Sequence, residues 1–253
     1  MRGTLVVCTE LEGLSHEAAR RFVAAVEARG QQPFRVVMAG GSTPRRLYEL
    51  LASQDFRVRI PWEQMHFFWS DERLVPHDHP DSNYRMAWES LLKSVPAPGQ
   101  NIHPVPAQSS AEEAARAYEQ ELRSHFGQWR GIPSFDLILL GLGADGHTAS
   151  LFPQAPALEE NQRLVVAHNP GGVAAARVTF TLPLLNQAQR IFFLVAGESK
   201  AAALRQAVES TGPLPAQRVS PKRGELLWLV DGAAASRLQR IRVESPGVGE
   251  TKA

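Results

Sequence analysis

The chain has 253 residues, enough for one large domain or two small ones, and its 27 basic and 26 acidic residues leave a formal net charge of +1. Both signs are spread along the sequence, so there is no electrostatic footprint for nucleic acid or an anionic membrane surface, and any anionic ligand must be small and locally recognised. A single cysteine, Cys8, excludes an internal disulfide and a cysteine zinc cluster; with no run near the ~20 apolar residues of a membrane span and no signal peptide, the expected location is cytoplasmic.

Short apolar runs alternate with helical patterns. Leu5 to Cys8 reads as a strand, and Ser15 to Gly30 as a helix that Ser15 caps, with Ala18, Phe22, Val23 and Val26 on one face. Phe34 to Ala39 is the next strand, leading through Gly40, Gly41 and Ser42 to a helix with Thr43 as its expected cap and Pro44 in the first position. Met65 to Trp69 forms a third strand, and Ser82 or Asn83 starts a helix through Leu92. After a proline-rich passage, Ser110 and Glu113 make the capping box of a helix carrying Tyr118, Leu122 and Phe126. Phe135 to Leu140, Ile191 to Ala196 and Leu226 to Val230 are strands, the latter two followed by alanine-rich helices with Leu204, Val208 and Leu238 inward. This alternation predicts an α/β fold with a doubly wound, mostly parallel sheet and helices on both faces. Val178 to Leu182 and Leu164 to Ala167 are expected to pair on its edge. With no linker or repeat, residues 1–240 read as one domain and residues 241–253 as a flexible tail.

The most informative segment runs from Phe135 to Phe152, where a wholly apolar strand ends in the turn of Gly141, Gly143 and Gly146, presenting Asp145 and His147. Ligands of open α/β sheets collect at such carboxyl ends, and the glycines let the backbone approach a ligand closely. The same letters spell G-x-G-x-x-G, but Gly141 lies past the middle of the chain, Pro153 stops any helix and no acid closes the next strand, so nicotinamide binding is not supported. Gly40 to Pro44 is a second strand end entering a helix, with Arg45 in the first turn. It reads equally well as a phosphate cradle or as an ordinary connection. Trp69-Ser70-Asp71-Glu72-Arg73, with Ser82 and Asn83 following, is a third strand end, and Gly197 to Lys200 a fourth, whose ammonium sits at a helix start. Polar groups converging on one edge of a parallel sheet favour a functional reading over solvated loops. His77, Asp78, His79 and Asp81 form a proline-flanked loop with too few partners for a metal site, and His16, His66, His103, His125 and His168 have no evident partners in sequence.

Taken together, GGSTP at Gly40 to Pro44, SDER at Ser70 to Arg73, Ser82-Asn83, DGHTASLFP from Asp145 to Pro153 and GxxK at Gly197 to Lys200 resemble the 6-phosphogluconolactonase family over roughly Val36 to Asp231. The resemblance implies a Rossmann-like fold shared with glucosamine-6-phosphate deaminases, and hydrolysis of 6-phosphoglucono-δ-lactone in the oxidative pentose phosphate pathway without a cofactor. It assigns the base role to His147. An imidazole with a reference pKa near ~6.5 is largely neutral at cytoplasmic pH and can take a proton from the attacking water. The oxyanion then falls to Arg73 or to backbone N–H groups of the Gly141–Gly146 turn, and the 6-phosphate to Gly40, Gly41, Ser42, Arg45 and Lys200, with Arg73 as an alternative. Asp145 orients His147 or holds the turn, and Asp71 and Asn83 bond sugar hydroxyls. The expected partner is a phosphorylated sugar lactone alone, the chain being a monomer or small homo-oligomer.

Two rivals remain. The deaminase or isomerase branch of the same fold resembles this chain at Asp71, Asp145 and His147, but places a glutamate where this sequence has Phe152. A sugar-phosphate sensor without turnover is the other, although no helix-turn-helix or basic reading surface is visible.

Overall fold

The computed structural model describes residues 3–106, 110–127, 131–169 and 175–239, so the expected tail lies outside the described residues. The chain runs β1 (Thr4–Cys8), α1 (Leu11–Glu27), β2 (Phe34–Met38), α2 (Ser42–Ala52), α3 (Gln54–Arg57), β3 (Met65–Trp69), β4 (Asp71–Arg73), α4 (Asn83–Ser90) and α5 (Ala111–His125). It continues through β5 (Leu137–Leu140), β6 (Val165–His168), β7 (Arg177–Phe180), α6 (Leu182–Leu185), β8 (Arg190–Val195), α7 (Ala201–Glu209), α8 (Pro215–Arg218), β9 (Glu225–Asp231) and α9 (Gly232–Ala235).

Six strands form a parallel sheet in the order β1-β9-β8-β5-β2-β3. Every residue of β5 is buried, as expected of an unbroken apolar run with neighbours on both edges. The chain steps from β2 outward to β3 and then returns across β2 to β5, β8 and β9, reversing direction between β2 and β5. Right-handed crossovers send the helices of the two directions to opposite faces, and the reversal leaves a crevice at the carboxyl ends of β2 and β5. The core includes Trp69 and Trp228, and the Trp228 indole stacks on Phe193 with ring centroids 3.9 Å apart. Among the described residues no helix is long and apolar enough to cross a membrane.

Several local expectations are corrected. The pairing of β6 with β7 does not extend the main sheet: with β4 it makes a separate antiparallel sheet, β4-β7-β6, so the SDER segment is a strand and not a loop. Helix α1 begins four residues before Ser15, whose hydroxyl instead bonds back to the Leu11 carbonyl at 2.8 Å inside the helix. Thr43 is not the cap of α2: Gly41 holds that position at φ 104°, so the glycine backbone makes the entry turn without a side-chain hydrogen bond. Ser82 does cap α4, accepting from the Arg85 N–H at 3.1 Å, and Ser110 caps α5, accepting from the Glu113 N–H at 3.2 Å. After β9 the helix is a single short turn, α9, although Leu238 still packs against the core.

Candidate active site

Four strand ends open into one cleft of about 290 Å³, lined by Gly40 and Gly41 after β2, Ser70 after β3, Gly141 to Gly143 after β5 and Lys200 after β8, with Asp71, Arg73, Asn83, His147, Ala149 and Arg177. It sits at the reversal between β2 and β5.

The glycine turn after β5 is built to carry the histidine. The Gly143 N–H donates to the His147 carbonyl at 2.8 Å, and Thr148, fully buried, ties the loop back to the Gly141 carbonyl at 2.8 Å. A Cβ at Gly143 would overlap the His147 imidazole, so glycine is required for the ring to lie against the turn. Asp145 Oδ1 accepts from the His147 N–H at 3.1 Å and lies 2.6 Å from its Nδ1. Burial alone would raise the Asp145 carboxyl, but its bonds to the His147 N–H and ring outweigh this and hold it below the usual range. A carboxylate on Nδ1 fixes the tautomer and leaves Nε2 as the basic nitrogen. The far side of the ring meets Phe152 at 4.4 Å, and Phe152 in turn stacks on His168 at 5.0 Å.

The second sheet supplies the opposite wall. Arg73 and Arg177 face each other in the β4–β7 register, and the Nε of each is buried with no hydrogen-bond partner among the described residues. Burial and then the neighbouring Arg73 charge push the Arg177 guanidinium down. Its other face covers the Phe152 ring, 5.5 Å from the centroid. Arg73 is anchored by an Nη1–H that donates to the Asp81 carbonyl at 2.6 Å. Two half-buried guanidinium groups side by side, each with an unanswered Nε–H donor, have the chemistry to receive an anion.

Asp71 and Asn83 are fixed relative to each other and to the histidine loop. The Asn83 Nδ2 donates to the Asp71 carbonyl at 2.9 Å, and the Ser150 hydroxyl donates to Asp71 Oδ2 at 2.7 Å. Glu72 points away from the cleft. Its carboxylate accepts from the backbone N–H groups of Arg73, Asn83 and Tyr84 at 2.8 Å each and from the Ser82 hydroxyl at 3.1 Å, fastening α4 to β4. Burial raises its pKa even against those bonds.

Of the residues expected in the site, Gly40, Gly41, Asp71, Arg73, Asn83, His147 and Lys200 line the cleft, and Asp145 holds His147 from behind. Ser42 and Arg45 do not line it. Both are exposed, and the Arg45 charge bears on Glu89 of α4, behind that of Arg85. Arg177 escaped the sequence reading: the arginine heading the Val178 run becomes visible as a site residue only once β7 pairs with β4.

A family model described as glucosamine-6-phosphate isomerases/6-phosphogluconolactonase matches residues 9–228. The chain belongs to this family. Within it, a 6-phosphogluconolactonase of Synechocystis is 47% identical over 224 residues, covering 87% of this chain and 90% of the relative. The structure of the 6-phosphogluconolactonase from Trypanosoma cruzi superposes with a TM-score of 0.83 at 30% identity, covering 94% of this chain and 98% of that one. A monomeric glucosamine-6-phosphate deaminase, at 22% identity and a TM-score of 0.76, covers 92% of this chain and 99% of its own and shares the fold.

Proposed function

We propose that this chain hydrolyses 6-phosphoglucono-δ-lactone to 6-phosphogluconate, the lactone-opening step of the oxidative pentose phosphate pathway, using His147 as general base. The observation that carries the reading is the Asp145–His147 pair opening onto a cleft shared with three cationic side chains, Arg73, Arg177 and Lys200. Its support from kinship is the 47% identity to the Synechocystis 6-phosphogluconolactonase.

The Nε2 lone pair of His147 takes a proton from water as the oxygen attacks the lactone carbonyl carbon. The charge that develops on the carbonyl oxygen is met by Arg73, a donor held in place by Asp81. Collapse of the tetrahedral intermediate breaks the bond from C1 to the ring oxygen, which takes the proton back from the imidazolium and leaves as a hydroxyl. The acid formed ionises and releases one proton to solvent. Arg177 and Lys200, with the Gly40–Gly41 turn, hold the phosphate dianion, so binding energy remote from the carbonyl orients it. Asp71 and Asn83 position ring hydroxyls. In the deaminase branch a carboxylate would stand where Phe152 packs on His147, and an apolar ring there cannot tune the imidazole electrostatically. A cytoplasmic setting is part of the same reading, supported by Cys8 being buried and unpaired.

The test is proton release from freshly generated 6-phosphoglucono-δ-lactone at neutral pH with EDTA present. Wild type is expected to exceed the spontaneous rate and His147→Ala to fall back toward it. Wild type that merely matches the spontaneous rate sinks the proposal.

A further inference from the structure

Away from the cleft, three histidines from distant stretches meet near the amino-terminal end of β3. His66 lies on β3, His103 donates its own backbone N–H to the Phe67 carbonyl at 2.8 Å, and His125 closes α5. One ring nitrogen from each lies within 4.8 Å of the others, and all three residues are only partly buried. From the arrangement of these side chains we propose that His66, His103 and His125 bind one borderline-soft transition-metal dication of the zinc class, tying β3 to α5.

The geometry supports this in three ways. His66 Nδ1 and His103 Nε2 are 3.2 Å apart. Two nitrogens each about 2.0–2.1 Å from one ion at the tetrahedral angle stand about 3.3–3.4 Å apart, so this pair already has the spacing of two ligands on one ion. Glu121 Oε1 accepts from His103 Nδ1 at 2.9 Å, the carboxylate-to-imidazole contact that aims the other ring nitrogen at a metal and raises its basicity. Stacking of His103 on Phe68, with centroids 4.5 Å apart, fixes its plane.

Arg35 opposes the ion. Its Nε donates to His125 Nε2 at 3.2 Å, and its guanidinium also lies over the Phe126 ring at 5.1 Å. Binding moves Arg35 off the imidazole, and an arginine substitution that removes this competitor tightens the site. A purely structural histidine stack has no such dependence.

The experiment titrates zinc alone into the full chain, stripped beforehand with a chelator, by calorimetry, and follows cobalt by its visible absorption. Wild type and His147→Ala are each expected to take one equivalent at this site, with the intense ligand-field bands of a low-coordinate nitrogen site. His66→Gln and His125→Gln lose that equivalent, Glu121→Gln weakens it by about 10–100-fold, and Arg35→Gln strengthens it. Should the histidine variants fail to fold, Glu121→Gln and Arg35→Gln decide the question through their opposite effects on affinity, together with the rise in Tm on adding zinc to wild type. Failure of folded wild type to bind overturns the proposal, as does an equivalent kept by His66→Gln but lost by His147→Ala, which would put the ion on the Asp145–His147 pair.

Discussion

At the scale of single residues, the proposed chemistry rests on the Asp145–His147 contact and the two unanswered donors of Arg73 and Arg177. His147→Ala is expected to lower kcat by roughly 10²–10⁴-fold with KM little changed, measured by proton release under saturating lactone. Asp145→Asn should cost less, roughly tenfold to a hundredfold, and not the ~10⁴ of a buried triad aspartate, because this carboxylate is 52% exposed. The folded-state pKa of Asp145 is depressed, so its contribution to stability is complete above the unfolded value of ~3.9 and fades as pH falls through the lowered one. The carboxylate therefore stays ionised across the neutral range. Arg177→Ala and Lys200→Ala should raise KM far more than they lower kcat, whereas Arg73→Ala should lower kcat as well. An unchanged KM in the first two would send the phosphate elsewhere.

The elements explain why those residues meet. The histidine turn succeeds because Gly143 leaves room for the imidazole, so Gly143→Ala should lower kcat at least tenfold while far-UV circular dichroism stays that of wild type. Ala149, in the left-handed region at φ 48°, is a non-glycine residue holding a strained backbone at the cleft wall. The fastening of α4 to β4 depends on Glu72, which answers three backbone N–H groups and a hydroxyl. Glu72→Ala leaves those buried donors without an acceptor and should destabilise by about 2–4 kcal/mol in urea unfolding, raising KM as Asn83 loses its place. A loss below ~0.5 kcal/mol would show that water replaces the carboxylate.

For the whole molecule, β1 near the start of the described chain pairs in parallel with β9 near its end, from Thr4 opposite Leu227 to Cys8 opposite Asp231. The main sheet thus closes over residues from both ends, and we expect one cooperative transition in which tryptophan fluorescence, circular dichroism and activity coincide; separated transitions would split the chain into independent units. The buried β5 run and the carboxyl-end location of the cleft were legible in the sequence, because apolar periodicity and glycine placement are local properties of the chain. Gly40, Gly41 and Lys200 were read correctly as strand-end residues facing one cleft, since parallel strands bring all their carboxyl ends to one side. Ser42 and Arg45, on the first turn of α2, lie outside the cleft lining, which residue type and position in the helix did not reveal. The Arg73–Arg177 wall, the fastening by Glu72 and the meeting of His66, His103 and His125 were decided by tertiary structure alone, because each joins side chains from elements distant in the chain, the first through a strand register and the others through helix packing, which periodicity does not encode.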